Sequence, residues 1–280
     1  MRPGTEARER EHPALLIDTH CHADCSAFDG DRAEMIAAAR ACGLANALLC
    51  AGEIASLEKT IRAARAEHLS YALGMHPMYL PAPEQAEAAL DAHRRACEQA
   101  LCDPLFAAVG EIGLDGFVPG LDMAHQERLF AGQLRTARDL ALPVSVHARH
   151  AVDKVAMWLG RIPPAGGVVH AFNGSIEQAQ KLLKLGFKLG FGGALAYQGS
   201  KRIRRIFAQL PEDAFVLETD APDMPGPERR ESADPRTHLE DIFGYASVAA
   251  ELRGIRLEDL CRLATDNALA AFPKMANALN

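Results

Sequence analysis

The sequence predicts one α/β domain folded as a (β/α)8 TIM barrel, and three observations carry the prediction. Short apolar runs that read as strands alternate with longer helix-like segments along almost the whole chain, a pattern that implies a parallel sheet covered by helices. Eight strand runs can be counted, the number that closes into a barrel of this kind. The length of 280 residues suits a single barrel domain. The runner-up is an open doubly wound sheet, weakened because no GxGxxG turn follows the first strand, where a dinucleotide fold would carry one.

In order, the strand runs are LLIDTH, ANALLCAG, SYALGMH, FAAVGEIGL, PVSVHAR, GGVVHAF, FKLGFGGAL and FVLETDA. Between them lie DRAEMIAAARACG, ASLEKTIRAARAEH, PEQAEAALDAHRRACEQAL, AHQERLFAGQLRTARDLAL, HAVDKVAMWLG, SIEQAQKLLKLG and SKRIRRIFAQL. Many helices end at a glycine and the next strand opens directly after it, which are ordinary stop and start signals. In the last segment Ile203, Ile206, Phe207 and Leu210 turn inward, so KRIRR at 201–205 reads as the solvated side of an amphipathic helix rather than a nucleic-acid patch. The proline-rich APDMPGPERRESADP, residues 221–235, reads as a long loop after the eighth strand, and such loops in compact domains are often functional. Residues 1–13, MRPGTEAREREHP, are charged and read as a flexible leader rather than a signal peptide or anchor, which leaves 14–280 as the barrel domain.

Composition narrows the function classes. An apolar content of 49% allows a sizeable core. A formal net charge of -7 argues against a generally basic, sequence-reading DNA binder. It leaves room for a nucleic-acid enzyme, because a metal and a few arginines hold phosphates locally. The seven cysteines, Cys21, Cys25, Cys42, Cys50, Cys97, Cys102 and Cys261, are odd in number and lack repeated CxxC spacing. They do not form a disulfide framework, and a reducing, cytoplasmic setting fits best. No stretch of about 18 uninterrupted apolar residues is present, so no membrane partner is expected. Nothing points to a protein partner.

The chemistry gathers at the ends of the strands. In IDTHCH, His20 and His22 stand one residue apart. Alternation along a strand turns both to the same face, where two imidazoles can grip one divalent ion. Taken alone, such a pair is more often two hydrogen-bonded histidines than a metal site. Partners, however, end the other strands: His76 in GMHP, Glu111 in GEIGLD, His147 in VSVHAR, His170 in VVHAFNGS and Asp220 in ETDAPDM. In a barrel of this type the C-terminal strand ends form the active site.

The blocks IDTHCH, GMHP, VGEIGLD, LPVSVHAR, VVHAFNGS and LETDAP, in this order from about Leu16 to the terminal LATDNALAAF, resemble those of the TatD-related metal-dependent hydrolases. That family is a TIM-barrel branch of the metallohydrolases, and several members cleave DNA. The resemblance implies two divalent cations. His20, His22 and Asp220 would bind one, His147 and His170 the other, and Glu111 would bridge them. Such a pair, about 3.5–4 Å apart, polarises a phosphoryl oxygen and activates water. Imidazole and carboxylate donors leave the ion open among Mg, Mn and Zn. Asp220 is also placed to take the proton of the attacking water. His76 is either a donor to the substrate phosphate or a strand-end histidine. Arg149, on the strand face of His147, suits a phosphate oxygen, with a surface ion pair as the alternative.

The chain departs from the family pattern in places. Met78 stands where a second histidine often follows GxHP. The basic stretch often found after the strand-eight aspartate reads PGPERRESADPRTHL, in which Arg229, Arg230 and Arg236 keep positive charge. HAFNGS replaces HCFTGS and leaves His170 in place. The leading expectation is therefore a two-metal phosphodiesterase, a deoxyribonuclease whose partner is DNA or another phosphodiester. The alternative is a metallohydrolase of the same barrel acting on a lactone, amide or small phosphoester. A non-catalytic scaffold holding metal or nucleic acid comes third, because the complete ligand set with Glu111 survives.

Overall fold

The computed structural model describes residues 15–279, so the leader expected over 1–13 lies outside the described residues. Eight parallel strands pair in sequence order. They are β1 (Leu16–Cys21), β2 (Leu44–Cys50), β3 (Ser70–Leu73), β4 (Phe106–Asp115), β5 (Val144–Arg149), β6 (Gly167–Val169), β7 (Phe187–Phe191) and β8 (Phe215–Leu217). Each overlaps the run expected of it; β1, β2 and β4 extend one residue past theirs, at Cys21, Leu44 and Asp115. Helices α1 (Arg32–Cys42), α2 (Leu57–Glu67), α3 (Ala86–Ala100), α4 (Met123–Asp139), α5 (Val152–Arg161), α6 (Ile176–Lys184) and α7 (Lys201–Gln209) connect them. The segment expected as a loop after β8 carries one helical turn, α8 (Pro227–Arg230), before α9 (Asp241–Arg253) and α10 (Leu257–Ala271). No helix among the described residues is long and apolar enough to cross a membrane.

Two apolar layers explain why the strands read as continuous apolar runs rather than alternating ones. Outward-facing residues such as Val144, Val146, Leu189 and Leu217 pack against the helices. Inward-facing Ile17, Leu48, Ala72, Val168 and Val216 fill the barrel and are capped from below by Phe272 and Met275. In α7, Ile203, Ile206 and Phe207 are buried as the sequence predicts.

The barrel closes between β8 and β1, and the closure builds the site. Just beyond the paired ends, Asp220 N–H donates to His20 O at 2.9 Å and His22 N–H to Ala221 O at 2.7 Å. Lower down, Thr19 Oγ1 donates to Leu217 O at 3.0 Å. Asp18 crosses the same seam. Its Oδ2 accepts from Thr219 Oγ1 at 2.5 Å and its Oδ1 from Thr219 N–H at 3.1 Å. Burial pushes the Asp18 carboxyl up to about 7, against the pull of those hydrogen bonds.

Candidate metal centre

The five strand-end histidines singled out in the sequence converge on one carboxylate, that of Glu111, with Asp220 beside two of them and Arg149 outside. Glu111 Oε2 lies 3.3 Å from His20 Nε2 and 3.2 Å from His22 Nε2. Asp220 Oδ1 stands 3.6 Å from each of the same two nitrogens. Glu111 Oε1 lies 2.8 Å from His170 Nε2, 3.0 Å from His147 Nδ1 and 3.2 Å from His76 Nε2. Glu111 itself is buried. β3 and β4 come close enough to bring His76 over because residue 74 is glycine: a Cβ there would sit 2.5 Å from Glu111 O.

The outer faces of the imidazoles decide which inner nitrogens carry lone pairs. His22 Nδ1–H donates to Cys50 O at 2.8 Å. His147 Nε2 lies 3.0 Å from Asp115 Oδ2 and donates to that carboxylate. In the neutral rings, His22 Nε2 and His147 Nδ1 are therefore acceptors, and both face oxygens of Glu111. His147 Nδ1 is also 3.3 Å from His170 Nε2, and His20 Nε2 is 3.3 Å from His22 Nε2. Glu111 Oε1, with three imidazole nitrogens around it, makes no well-aligned hydrogen bond. Acceptors crowded on a buried carboxylate need protons or a cation between them. The donor chemistry, imidazole with carboxylate, fits a divalent transition metal. His76 differs. Its Nδ1 accepts from Met78 N–H at 3.1 Å, so in the neutral ring Nε2 carries the proton and is a donor.

Charge follows the same geometry. Burial disfavours protonated His22 and His170, but the Glu111 carboxylate outweighs it, with Asp220 adding to the pull, and raises them to about 10 and about 9. Burial raises the Asp220 carboxyl, with the facing histidines opposing.

The profile of the TatD related DNase family matches residues 17–273. The chain belongs to the TatD-related DNase family. It is by that membership a metal-dependent hydrolase. An uncharacterized metal-dependent hydrolase of Escherichia coli K12, YjjV, is 38% identical over 212 residues, 75% of this chain and 80% of YjjV. The crystal structure of YjjV superposes with a TM-score of 0.84 at 32% identity, covering 94% of this chain and 99% of that one. The human deoxyribonuclease TATDN3 is 29% identical over 275 residues, 94% of this chain and 97% of that protein. The 3'-5' ssDNA/RNA exonuclease TatD of Cronobacter sakazakii is 33% identical over 213 residues, 74% of this chain and 78% of that enzyme.

In this TatD-related chain several supporting residues escaped the sequence reading. Helix α4 supplies two buried glutamines whose amides clamp backbone near the site. Gln133 accepts from Met75 N–H at 2.7 Å and donates to Met75 O at 3.2 Å, beside His76. Gln126 accepts from Asp115 N–H at 2.7 Å and donates to Asp115 O at 3.0 Å. Ser145 Oγ lies 2.8 Å from His20 Nδ1. Glu218 Oε1 accepts from Ala171 N–H at 2.5 Å, and burial pushes its carboxyl up to about 8. Strand alternation marks one of these: Ser145 lies two residues before His147 in β5, on the same face.

Above the cluster opens a cleft of about 1020 Å³. Arg149 lines it but stays outside the cluster, with its Cζ 3.7 Å from the ring centroid of Phe117. The alternative expected for it, a surface ion pair, does not occur among the described residues. The other arginines in the divergent stretch serve the fold or stay outside the cleft. Arg229 forks onto Asp241 at 2.7 and 2.9 Å, and Arg236 bridges Asp31 at 2.5 Å and Asp234 at 2.7 Å. Arg230 does not line the cleft.

Proposed function

We propose that this chain is a two-metal phosphodiesterase that cleaves DNA. The observation that carries the reading is the division of Glu111: one oxygen faces His20, His22 and the Asp220 side, and the other faces His147 and His170. In this reading His20, His22 and Asp220 would hold one divalent cation, His147 and His170 would hold a second, and Glu111 would serve both. Mg, Mn and Zn all remain compatible with the donors. Bound cations of this kind supply charge for a phosphoryl oxygen and acidify water.

The chain's own groups do the rest. Asp220 stands beside His20 and His22 and receives the proton of the attacking water. His76 presents Nε2–H and donates to a phosphoryl oxygen, the role that the Met78 N–H on its other nitrogen favours. Asp115 holds His147 in one tautomer. Arg149 meets a phosphate oxygen at the mouth of the cleft. The names of TATDN3 and the Cronobacter TatD enzyme support DNA over a lactone or amide. The seven free thiols suit a reducing cytoplasm.

The test joins metal content to turnover. The purified protein should hold about two divalent ions per chain, and a chelator should abolish cleavage of DNA. Glu111→Gln should lower kcat/KM by more than about 100-fold and lose bound metal, with the fold intact. Full activity in chelator, or normal turnover by the Glu111 variant, would overturn the reading. Hydrolysis of a lactone but not of DNA would replace the substrate and leave the centre standing.

A further inference from the structure

Phe117 is an apolar ring left in water beside the centre. It is 50% exposed, and Tyr79 is 54% exposed. They are the two exposed side chains among the Phe, Tyr and Trp of the described residues, and both line the cleft. Exposed aromatics grouped at one opening mark a binding surface. The guanidinium of Arg149 is packed on the Phe117 ring, and the His150 ring meets the same ring edge-on, 5.1 Å away at 78°. The lysine and arginine side chains that line the cleft are Lys59 and Arg149. Lys59 faces Asp29 at 3.7 Å, whereas the Arg149 side chain has no hydrogen bond or ion pair among the described residues. It is a positioned guanidinium with free donors.

One carboxylate ties this pair to the centre. Asp115 takes His147 on Oδ2, while its Oδ1 accepts Phe117 N–H at 2.7 Å and Val118 N–H at 3.0 Å. The backbone that carries the aromatic ring is therefore anchored to the histidine cluster through a single residue. A flat π surface, a stacked guanidinium and a backbone anchored beside the histidine cluster suit one kind of occupant. Bases stack on aromatic rings and guanidinium planes whatever their sequence, and the neighbouring phosphate takes the free donors.

We propose that Phe117 and Arg149 form a nucleobase platform, on which an unpaired base next to the scissile phosphate stacks. The proposal rests on the phosphodiesterase reading for its occupant. A base inside a duplex has both faces covered, so the platform takes bases from single-stranded or frayed ends. Phe117 is a specificity residue, and Arg149 serves both the base and its phosphate.

Calorimetry on the metal-loaded protein tests it with two nuclease-resistant phosphorothioate hexamers, one of thymidine and one with abasic sugars throughout. Wild type should bind the base-bearing hexamer at least about fivefold more tightly. Phe117→Ala should bring that ratio close to one, and Phe117→Tyr should restore it. Arg149→Ala should weaken both ligands. Because the ring is exposed, these variants should melt like wild type. A ratio unchanged in Phe117→Ala, or no preference in wild type, overturns the platform. Cleavage of ordinary phosphodiester hexamers is scored separately. A wild type that prefers bases yet cleaves neither ligand would sink the phosphodiesterase reading alone, and cleavage without base preference would sink the platform alone.

Discussion

Asp115 Oδ2 and His147 Nε2 are 3.0 Å apart, and the other nitrogen of that imidazole is 3.0 Å from Glu111 Oε1. The ring is thus held between two carboxylates with opposite duties. Asp115 fixes the proton on the outer nitrogen, and Glu111 shares the inner one. Facing His147 and taking two backbone N–H groups, Asp115 stays ionised well below the usual carboxylate range even though burial opposes this. A carboxylate behind a ligating histidine fixes its tautomer and raises its basicity.

Asp115→Asn removes that instruction, because an amide can offer either an acceptor or a donor to Nε2. Metal affinity should fall by about 10- to 100-fold, the usual loss for an outer partner of a ligand. Titration of the apo variant with Zn or Mn, followed by calorimetry, measures it. An unchanged affinity would show that the tautomer of His147 does not matter to the centre.

Gly190 on β7 makes room for Glu218. A Cβ at position 190 would meet Glu218 Oε2 at 2.0 Å. Glu218 in turn holds the N–H of Ala171, which sits next to His170 with φ of 44°, a conformation that needs support in a residue with a side chain. Gly190→Ala should cost about 1–3 kcal/mol of stability through overpacking and weaken metal binding through His170. Gly160→Ala is the control. Its Cβ would meet Leu185 at an ordinary 3.6 Å, and an alanine within α5 should gain about 0.5–1 kcal/mol. Denaturant melts of the two variants should move in opposite directions.

His93 on α3 gives the fold an acid-labile point away from the centre. It is buried, with Nε2–H donating to Leu73 O at 3.0 Å and Nδ1 without a partner. Burial lowers it to about 4 from an ordinary 6.5. The unfolded chain therefore binds a proton below about pH 6.5 that the folded chain refuses until about pH 4. Stability is full above the upper value and falls as pH drops through that window, by up to about 3 kcal/mol. His93→Gln should flatten this part of the profile. Melts of the metal-free protein from pH 7 down to pH 4 check it, and a slope that survives the substitution would assign the loss to other groups.

Strand-helix alternation, the count of strands and the chemical character of their ends are local patterns, written into stretches of some ten residues. That is why all eight strands, and every residue from His20 to Asp220 singled out for the centre, could be placed before any contact was known. Asp115, Ser145 and Glu218 lie in the same blocks without a role that their local sequence assigns. Strand alternation can put Ser145 on the face of His147, but nothing local shows what a carboxylate or hydroxyl on that face meets.

Read by itself, the sequence determined a closed eight-stranded barrel and a set of histidines and carboxylates at its upper rim. It determined neither how Glu111 divides its two oxygens nor which nitrogen each imidazole turns inward. Those depend on partners far apart along the chain, such as His20 with Ser145, 125 positions away, and Asp18 with Thr219, 201 positions away. Nor did it reveal that Arg229 and Arg236 are tied up in the fold while Arg149 stays free on Phe117. Periodicity along a chain reports which face a side chain takes. Only closure of the sheet, β8 against β1, brings those faces together and decides what each group meets.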